Sequence, residues 1–309
     1  MKAVHIESGQ VDVREVSMPV REPGYALIRL LCAGICNTDL ELQRGYYGFT
    51  GTPGHEFVGE VVEADTATLV GERVTGEINL PCGECEWCAR GLGRHCPKRT
   101  VLGIVRHPGA FAEFLTLPEH NLHAIPDGLA TEHAVFAEPV AAAYQVLDQV
   151  EIPEGAAVAV LGDGKLGLLI AQVLKAHGAR AHLYGHHPER APIFGVETGA
   201  SGITYDWVVE ATGSADGLRQ AVAMTRPRGT VVMKSTVHEP VAVDMAPVIV
   251  NEISLVGSRC GRFEPALALL ARGAVRVAPM ISERFPLERA PEAFARASEK
   301  GILKVLLDS

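Results

Sequence analysis

Ala157-Val158-Ala159-Val160-Leu161-Gly162-Asp163-Gly164-Lys165-Leu166-Gly167 is the stretch that decides the fold. Five apolar residues lead into a G-x-G-x-x-G signature, and a helical pattern follows over 165–177, so the segment reads as strand, tight turn and helix. Gly162 makes the turn, Gly164 lets a pyrophosphate approach the backbone, and Gly167 lets the helix pack on the strand. The helix start, with Lys165 and Leu166, offers unpaired N–H groups and the positive end of a dipole to phosphate. A dinucleotide site is therefore expected here. The following strand ends at Tyr184-Gly185-His186-His187-Pro188-Glu189-Arg190, without the acid that would hold the ribose hydroxyls of NAD. Its absence removes repulsion of a 2′-phosphate, and His186, His187 and Arg190 can pair with one, so NADP is favoured over NAD. A solvated turn with incidental histidines, or rescue of NAD binding by Glu189, are the competing readings.

Toward the C-terminus, apolar strands alternate with helical patterns, the signature of βαβ units and a parallel sheet. Strands are predicted at 181–185, 207–210, 230–233 and 254–256, helices at 265–271 and 290–298, and a last strand at 303–307. Only seventeen residues separate Pro188 from Asp206, and Gly195, Gly199 and Gly202 lie among them. The unit between 188 and 206 is thus expected to be shortened. Lys234 follows the strand at 230–233 and is either a contact for cofactor or substrate or a solvated lysine.

Toward the N-terminus the texture is different. Short β segments such as 26–31, 57–62 and 111–115 are cut by Gly and Pro, which indicates an all-β, barrel-like region. At 309 residues, 47% of them apolar, the chain suits two domains. A net charge of −9 and the lack of a Lys/Arg run leave no field for a nucleic-acid backbone. The start has no sustained apolar segment, and no stretch approaches the ~18 apolar residues of a membrane span. No nucleic-acid or membrane partner is expected, and the location expected is cytoplasmic, where thiols stay reduced.

Five of the seven cysteines carry metal-ligand patterns. Cys82-x2-Cys85-x2-Cys88-x7-Cys96 packs four thiols into fifteen residues, which suits a tetrahedral zinc better than a disulfide pair. Cys36, Gly54-His55-Glu56 and Glu138-Pro139 supply S, N and O donors from separate elements, as a catalytic site does. Cys32 and Cys260 read as small packed apolar residues.

Cys36-Asn37-Thr38-Asp39, Gly54-His55-Glu56, the four-cysteine segment, Gly109-Ala110-Phe111-Ala112-Glu113, Glu138-Pro139 and the glycine turn occur in the order found in zinc-dependent medium-chain alcohol dehydrogenases, which the chain resembles over nearly its whole length. The resemblance implies an α/β protein with two parts. A GroES-like β-barrel catalytic domain would span 1–142 and 259–309 and carry the zinc lobe 82–96. A Rossmann-type, doubly wound parallel sheet would span 143–258. It implies two zinc ions per chain, one held by Cys82, Cys85, Cys88 and Cys96 in a structural lobe. The catalytic one would be held by Cys36, His55 and either Glu56 or Glu138, with Glu138 preferred as the resting ligand. Thr38 matches the hydroxyl that relays the alcohol proton, whereas Glu41 stands where some relatives carry a relay histidine. Glu210-Ala211-Thr212-Gly213 resembles the strand end beside the cofactor, which adds Thr212 to the cofactor residues. The implied activity is hydride transfer between an alcohol, of the secondary, polyol or sugar type, and NAD(P), in a homodimer or homotetramer. Tyr46, Tyr47 and Phe49 either line the substrate pocket or pack a surface loop. Two alternatives stand beside this reading: a non-catalytic zinc- and nucleotide-binding regulatory protein, and a zinc-independent enone or quinone reductase.

Overall fold

Strand Tyr25–Gly34 organises the first half of the chain because its alternating pattern, YALIRLLCAG, buries one face almost completely. In the computed structural model, which describes residues 1–236 and 241–309, this strand has antiparallel neighbours in Phe57–Glu63, Phe114–Pro118 and Lys304–Asp308. The seven-stranded sheet continues through Arg73–Gly76 and Leu122–Ala124 on one side and Ile281–Pro286 on the other. A hairpin of Lys2–Glu7 and Gln10–Glu15 turns at Ser8-Gly9, both with positive φ, the backbone of a tight two-residue turn. The last strand runs beside Tyr25–Gly34 with Leu306 opposite Gly34, and Ile35 N–H donates to Val305 at 3.0 Å. That register carries Lys304 to the end of the sheet where Cys36 begins its helix.

The second half is a six-stranded parallel sheet. Its order is Glu197–Thr198, Arg180–Tyr184, Ala157–Leu161, Tyr205–Glu210, Thr225–Met233 and Ser254–Gly257. The order reverses beside Ala157–Leu161, the doubly wound arrangement that leaves a crevice at the strands' C-terminal ends. Ala157–Leu161 is buried along almost its whole length, and helix Lys165–Ala176 buries Gly167 to Leu174. Between 188 and 206 the chain forms a single turn of helix, Arg190–Ile193, and a two-residue edge strand, Glu197–Thr198. A Cβ on Gly199 would overlap the Tyr184 ring. The Tyr184 hydroxyl donates to Ala200 O at 2.8 Å and lies 2.7 Å from the Tyr205 hydroxyl, so an aromatic brace covers this edge where a longer helix is missing.

The chain separates into two compact units, Met1–Glu138 with Met280–Ser309, and Pro139–Pro279. The return therefore falls at 280 rather than near 259. Residues 259–279 stay with the parallel sheet because Arg262 pairs with Asp148 at 2.6 Å, Arg276 N–H donates to Gln172 at 2.7 Å, and a Cβ on Gly261 would overlap the Ala141 carbonyl. Lys234 is not a solvated lysine. It is 8% exposed and donates to Ala142 O, Arg259 O and Ser258 Oγ at 2.7, 2.8 and 3.1 Å. Among the described residues, no helix is long and apolar enough to cross a membrane.

Candidate active site and metal centres

The four-cysteine lobe is drawn together by local structure. Gly83 and Gly91 adopt positive φ on either side of the short helix Glu86–Ala89, whose N-cap is Cys85. The sulfur separations are 3.5 Å for Cys85–Cys88, 3.6 Å for Cys82–Cys96, 3.7 Å for Cys85–Cys96 and 4.0 Å for Cys82–Cys88. A tetrahedron with Zn–S bonds of ~2.3 Å has edges of roughly 3.8 Å, so the cage fits zinc. All seven cysteines are free thiols. Backbone hydrogen bonding from Cys82 pulls the Cys96 thiol down to about 6, whereas burial and its thiol neighbours push Cys88 up to about 11. One thiol is thus ready to ionise, and a metal would complete the deprotonation of the others.

A second group forms at the end of strand Tyr25–Gly34. Ligand atoms of Cys36, His55 and Glu56 lie within 4.8 Å of one another. Cys36 is the N-cap of helix Asn37–Gln43, and its backbone N–H donates to Asp39 Oδ2 at 2.8 Å in a capping box. Asp39 Oδ1 accepts the Gly54 N–H at 3.2 Å and lies 3.4 Å from His55 Nδ1. One buried carboxylate thereby aligns both segments that carry ligands, with His55 Nδ1 turned toward it and Nε2 left for a metal. His55 Nδ1 is buried without a hydrogen-bond partner among the described residues. Burial alone would lower its pKa, yet Asp39 and Cys36 outweigh burial and hold it well above the ordinary histidine value.

The carboxylate in this group belongs to Glu56. Glu138 lies outside it, half-buried in the first turn of helix Ala137–Gln149. Glu56 is 1% exposed and bonds Lys304 Nζ, which is itself 2% exposed and lies 5.6 Å from the centre of the Phe136 ring. A Cβ at Gly34 would press on Glu56 Oε2 at 2.7 Å, so glycine makes room for the pair. The Cys36 thiol and the carboxylates of Glu56 and Asp39 share this corner of the unit with His55 and Lys304. The donor set of sulfur, imidazole and carboxylate suits zinc, whose binding would release the protons held by its ligands. Sequence reasoning did not single out Asp39 as the clamp, nor Lys304 at all. The capping-box spacing of Cys36 and Asp39 could have revealed the first, but no local pattern marks the second.

Thr38 Oγ1 lies 3.8 Å from Cys36 Sγ, within the same group. Glu41 is paired with Arg44 at 2.5 Å. Tyr47 and Phe49 line a cavity of about 1060 Å³ with Met18, Val20 and Phe114, and its lining includes none of Cys36, His55 and Glu56.

At the parallel sheet, the glycine roles are visible in the backbone. Gly162 has φ of +107°, and a Cβ there would overlap the Ala211 carbonyl, while one on Gly167 would overlap the Gly162 carbonyl. Gly164, the N-cap of helix Lys165–Ala176, has open space on its Cβ side. This cradle fits a pyrophosphate, with Lys165 and Leu166 in the first turn of the helix. Gly185 is exposed, as is His186. His187 donates its backbone N–H to Asp163 and lies 3.3 Å from Glu189, and Arg190 Nη1 donates to the Asp163 carbonyl at 2.9 Å. Thr212 is held by Glu210, whose Oε1 accepts its N–H and hydroxyl, each at 2.7 Å.

A barrel-like β unit carrying a mixed S, N and O metal group, together with a doubly wound sheet carrying a glycine turn, defines the class of metal- and dinucleotide-binding oxidoreductases. Residues 22–127 match the alcohol dehydrogenase GroES-like domain, and residues 166–272 match the zinc-binding dehydrogenase domain. The chain is 31% identical to D-altritol 5-dehydrogenase of Agrobacterium fabrum, over 97% of each chain. It is 28% identical to sorbitol dehydrogenase of Halalkalibacterium halodurans, over 97% of this chain and 96% of that one. A zinc-binding dehydrogenase from Sinorhizobium meliloti, solved with NADP bound, superposes with a TM-score of 0.91 at 31% identity, covering 100% of this chain and 99% of that one. The chain belongs to the zinc-dependent medium-chain alcohol dehydrogenase family.

Proposed function

We propose that this protein is an NAD(P)-dependent dehydrogenase that interconverts a polyol or related secondary alcohol and its carbonyl compound at a catalytic zinc. The convergence of Cys36, His55 and Glu56 within 4.8 Å beside the Thr38 hydroxyl carries this reading. The altritol and sorbitol activities named for the two relatives support the substrate class. In this assignment Cys36, His55 and one glutamate bind the catalytic zinc. The grouping of ligand atoms supports Glu56 over Glu138. Cys82, Cys85, Cys88 and Cys96 bind the second, structural zinc, for which their sulfur spacing is the support.

When bound, zinc would supply Lewis acidity that lowers the alcohol's pKa, and a nicotinamide dinucleotide would supply the hydride acceptor. Asp39 fixes the backbone of Cys36 and Gly54 and places its carboxylate 3.4 Å from His55 Nδ1. Thr38 Oγ1 takes the substrate hydroxyl proton and passes it outward. Since Glu41 is tied to Arg44, the outer proton path runs through solvent rather than a histidine. Lys304 supplies Glu56 with a counter-charge in an apolar setting.

On the cofactor side, Gly162, Gly164, Lys165, Leu166 and Gly167 would hold the pyrophosphate, with Gly185 and Thr212 as further cofactor residues. His186, His187 and Arg190 favour NADP, and the NADP found in the Sinorhizobium relative supports that preference. The free thiols and net charge support a cytoplasmic protein without a nucleic-acid partner. A homodimer or homotetramer is the assembly proposed from family membership.

The test is dinucleotide reduction across a panel of polyols, sugars and simple secondary alcohols, with zinc content measured on the same sample. The reading requires turnover that is lost in Cys36→Ser and His55→Ala. Turnover surviving loss of the catalytic zinc would favour an enone or quinone reductase instead. Dinucleotide binding with no turnover on any substrate class would favour a regulatory protein.

A further inference from the structure

Strand Arg180–Tyr184 is followed by a glycine, yet a carboxylate stands beside it in space. A Cβ built on Gly185 would overlap the Asp163 side chain, which reaches over from the glycine turn. Asp163 thus fills the volume in which a strand-end side chain would begin. It is 8% exposed, and its Oδ2 accepts the His187 backbone N–H. Its carbonyl accepts from Arg190 Nη1, so the glycine turn and the 185–190 turn are tied together at two points. Asp163, Gly185, His187, Thr198 and Gly199 are among the residues lining a small cavity of about 80 Å³ at this end of the strand.

We propose that Asp163 is a specificity-determining residue for the dinucleotide: it stands in for the missing strand-end acid, favouring ribose hydroxyls and opposing a 2′-phosphate. The proposal rests on dinucleotide binding at the glycine turn, as assigned above. A carboxylate at this end of the strand is the group that accepts from the ribose hydroxyls of NAD. Held by a main-chain N–H, it cannot swing away from an incoming phosphate, and two anions at close range in partly buried surroundings repel strongly. Arg190, the cation of the same turn, acts in the opposite sense, and His186 and His187 can donate to a phosphate. The preference for NADP is then a difference between two opposed charge effects, and discrimination in the natural protein is shallow. Gly185 and Asp163 also form an exclusive pair, because an acid at 185 needs a smaller residue at 163.

The experiment is direct binding of NAD and NADP, by calorimetry or fluorescence, to the natural protein and to Asp163→Asn, Asp163→Ser and the double variant Asp163→Ser with Gly185→Asp. Asn keeps an acceptor for His187 N–H and removes only the charge. The ratio of NADP to NAD affinity is expected to rise about tenfold or more in both single variants, the scale of one charge beside a phosphate. High salt should narrow that difference. Moving the acid to residue 185 should return the ratio toward NAD. A ratio unchanged in the single variants, or moved toward NAD, overturns the inference and leaves Asp163 as a brace for the turn. If Asp163→Asn does not fold, the comparison of Asp163→Ser with the double variant decides in the same way. Natural protein that binds neither dinucleotide overturns the cofactor assignment together with this inference, whereas binding with an unresponsive ratio overturns this inference alone.

Discussion

Replacing Lys304 by Met tests the charge balance at the candidate catalytic site most directly. Lys304 and Glu56 are 2% and 1% exposed, and the Lys304 ammonium also lies 3.4 Å from Ile35 O and over the Phe136 ring. Methionine preserves most of the volume, so the main effect is a buried carboxylate left without its cation. That situation costs about 3–5 kcal/mol. For a unit of this size it corresponds to a fall in Tm of roughly 6–20 °C. The full effect is expected in zinc-stripped protein, because a divalent ion beside Glu56 would supply part of the missing charge. Glu56→Gln with Lys304→Met removes both charges and should recover much of the loss, giving a coupling energy of at least about 2 kcal/mol in a double-mutant cycle.

The pH dependence follows from the direction of the Lys304 shift. Burial lowers its pKa, but Glu56 and Cys36 outweigh burial and raise it above the ordinary lysine value. The folded pKa exceeds the unfolded one, so this stabilisation is fully present below the unfolded value and is lost only as pH rises through the folded value. In the natural protein this contribution should therefore persist between about pH 6 and pH 9, whereas in Lys304→Met the uncompensated Glu56 should make the deficit grow as pH rises. Chemical denaturation of metal-free protein over that range is the assay. A single variant within ~0.5 kcal/mol of the natural protein, or a double variant no better than the single, would refute the reasoning.

Asp39→Asn should weaken zinc binding at Cys36 and His55 by roughly 10–100-fold while leaving the four-cysteine site unaffected, measured by competition with a chromogenic chelator. In metal-free protein the raised His55 pKa means that zinc must displace a proton. Affinity at that site should consequently increase with pH across the neutral range, and an affinity independent of pH would contradict the assignment. Cys96→Ser removes the most buried of the four lobe thiols, and metal analysis should find one zinc per chain in place of two. Gly167→Ala places a methyl on the Gly162 carbonyl, so loss of both NAD and NADP binding is expected, with zinc content unchanged.

Local spacing made much of this protein legible from its sequence. A G-x-G-x-x-G between an apolar run and a helical pattern encodes its own turn, because positive φ at Gly162 and close packing at Gly167 are demands that neighbouring residues impose. Four cysteines within fifteen residues fold back on one centre through two glycine turns, and the chain needs no distant partner to bring their sulfurs near 3.5–4.0 Å. The alternation of strands and helices after residue 157 likewise carries the parallel sheet, since each element's periodicity is set by its own buried face.

What tertiary structure decided lies where distant segments meet. Lys304 reaches Glu56 across 248 positions because the last strand pairs with Tyr25–Gly34 in one register, and a shift of one residue would turn its side chain to the other face. Whether Glu56 or Glu138 joins Cys36 and His55 is likewise a matter of long-range packing. The boundary at 280, instead of near 259, depends on Arg262, Arg276 and Lys234 finding partners in the parallel-sheet unit. Gly185 was legible as a missing acid, but the carboxylate beside it comes from Asp163, which adjacent parallel strands bring alongside although twenty-one residues separate the two in the chain. Periodicity and spacing are local quantities and can be read along a chain. The charge environment of a site is a sum over whatever the fold brings near it, and only the paired strands specify that sum.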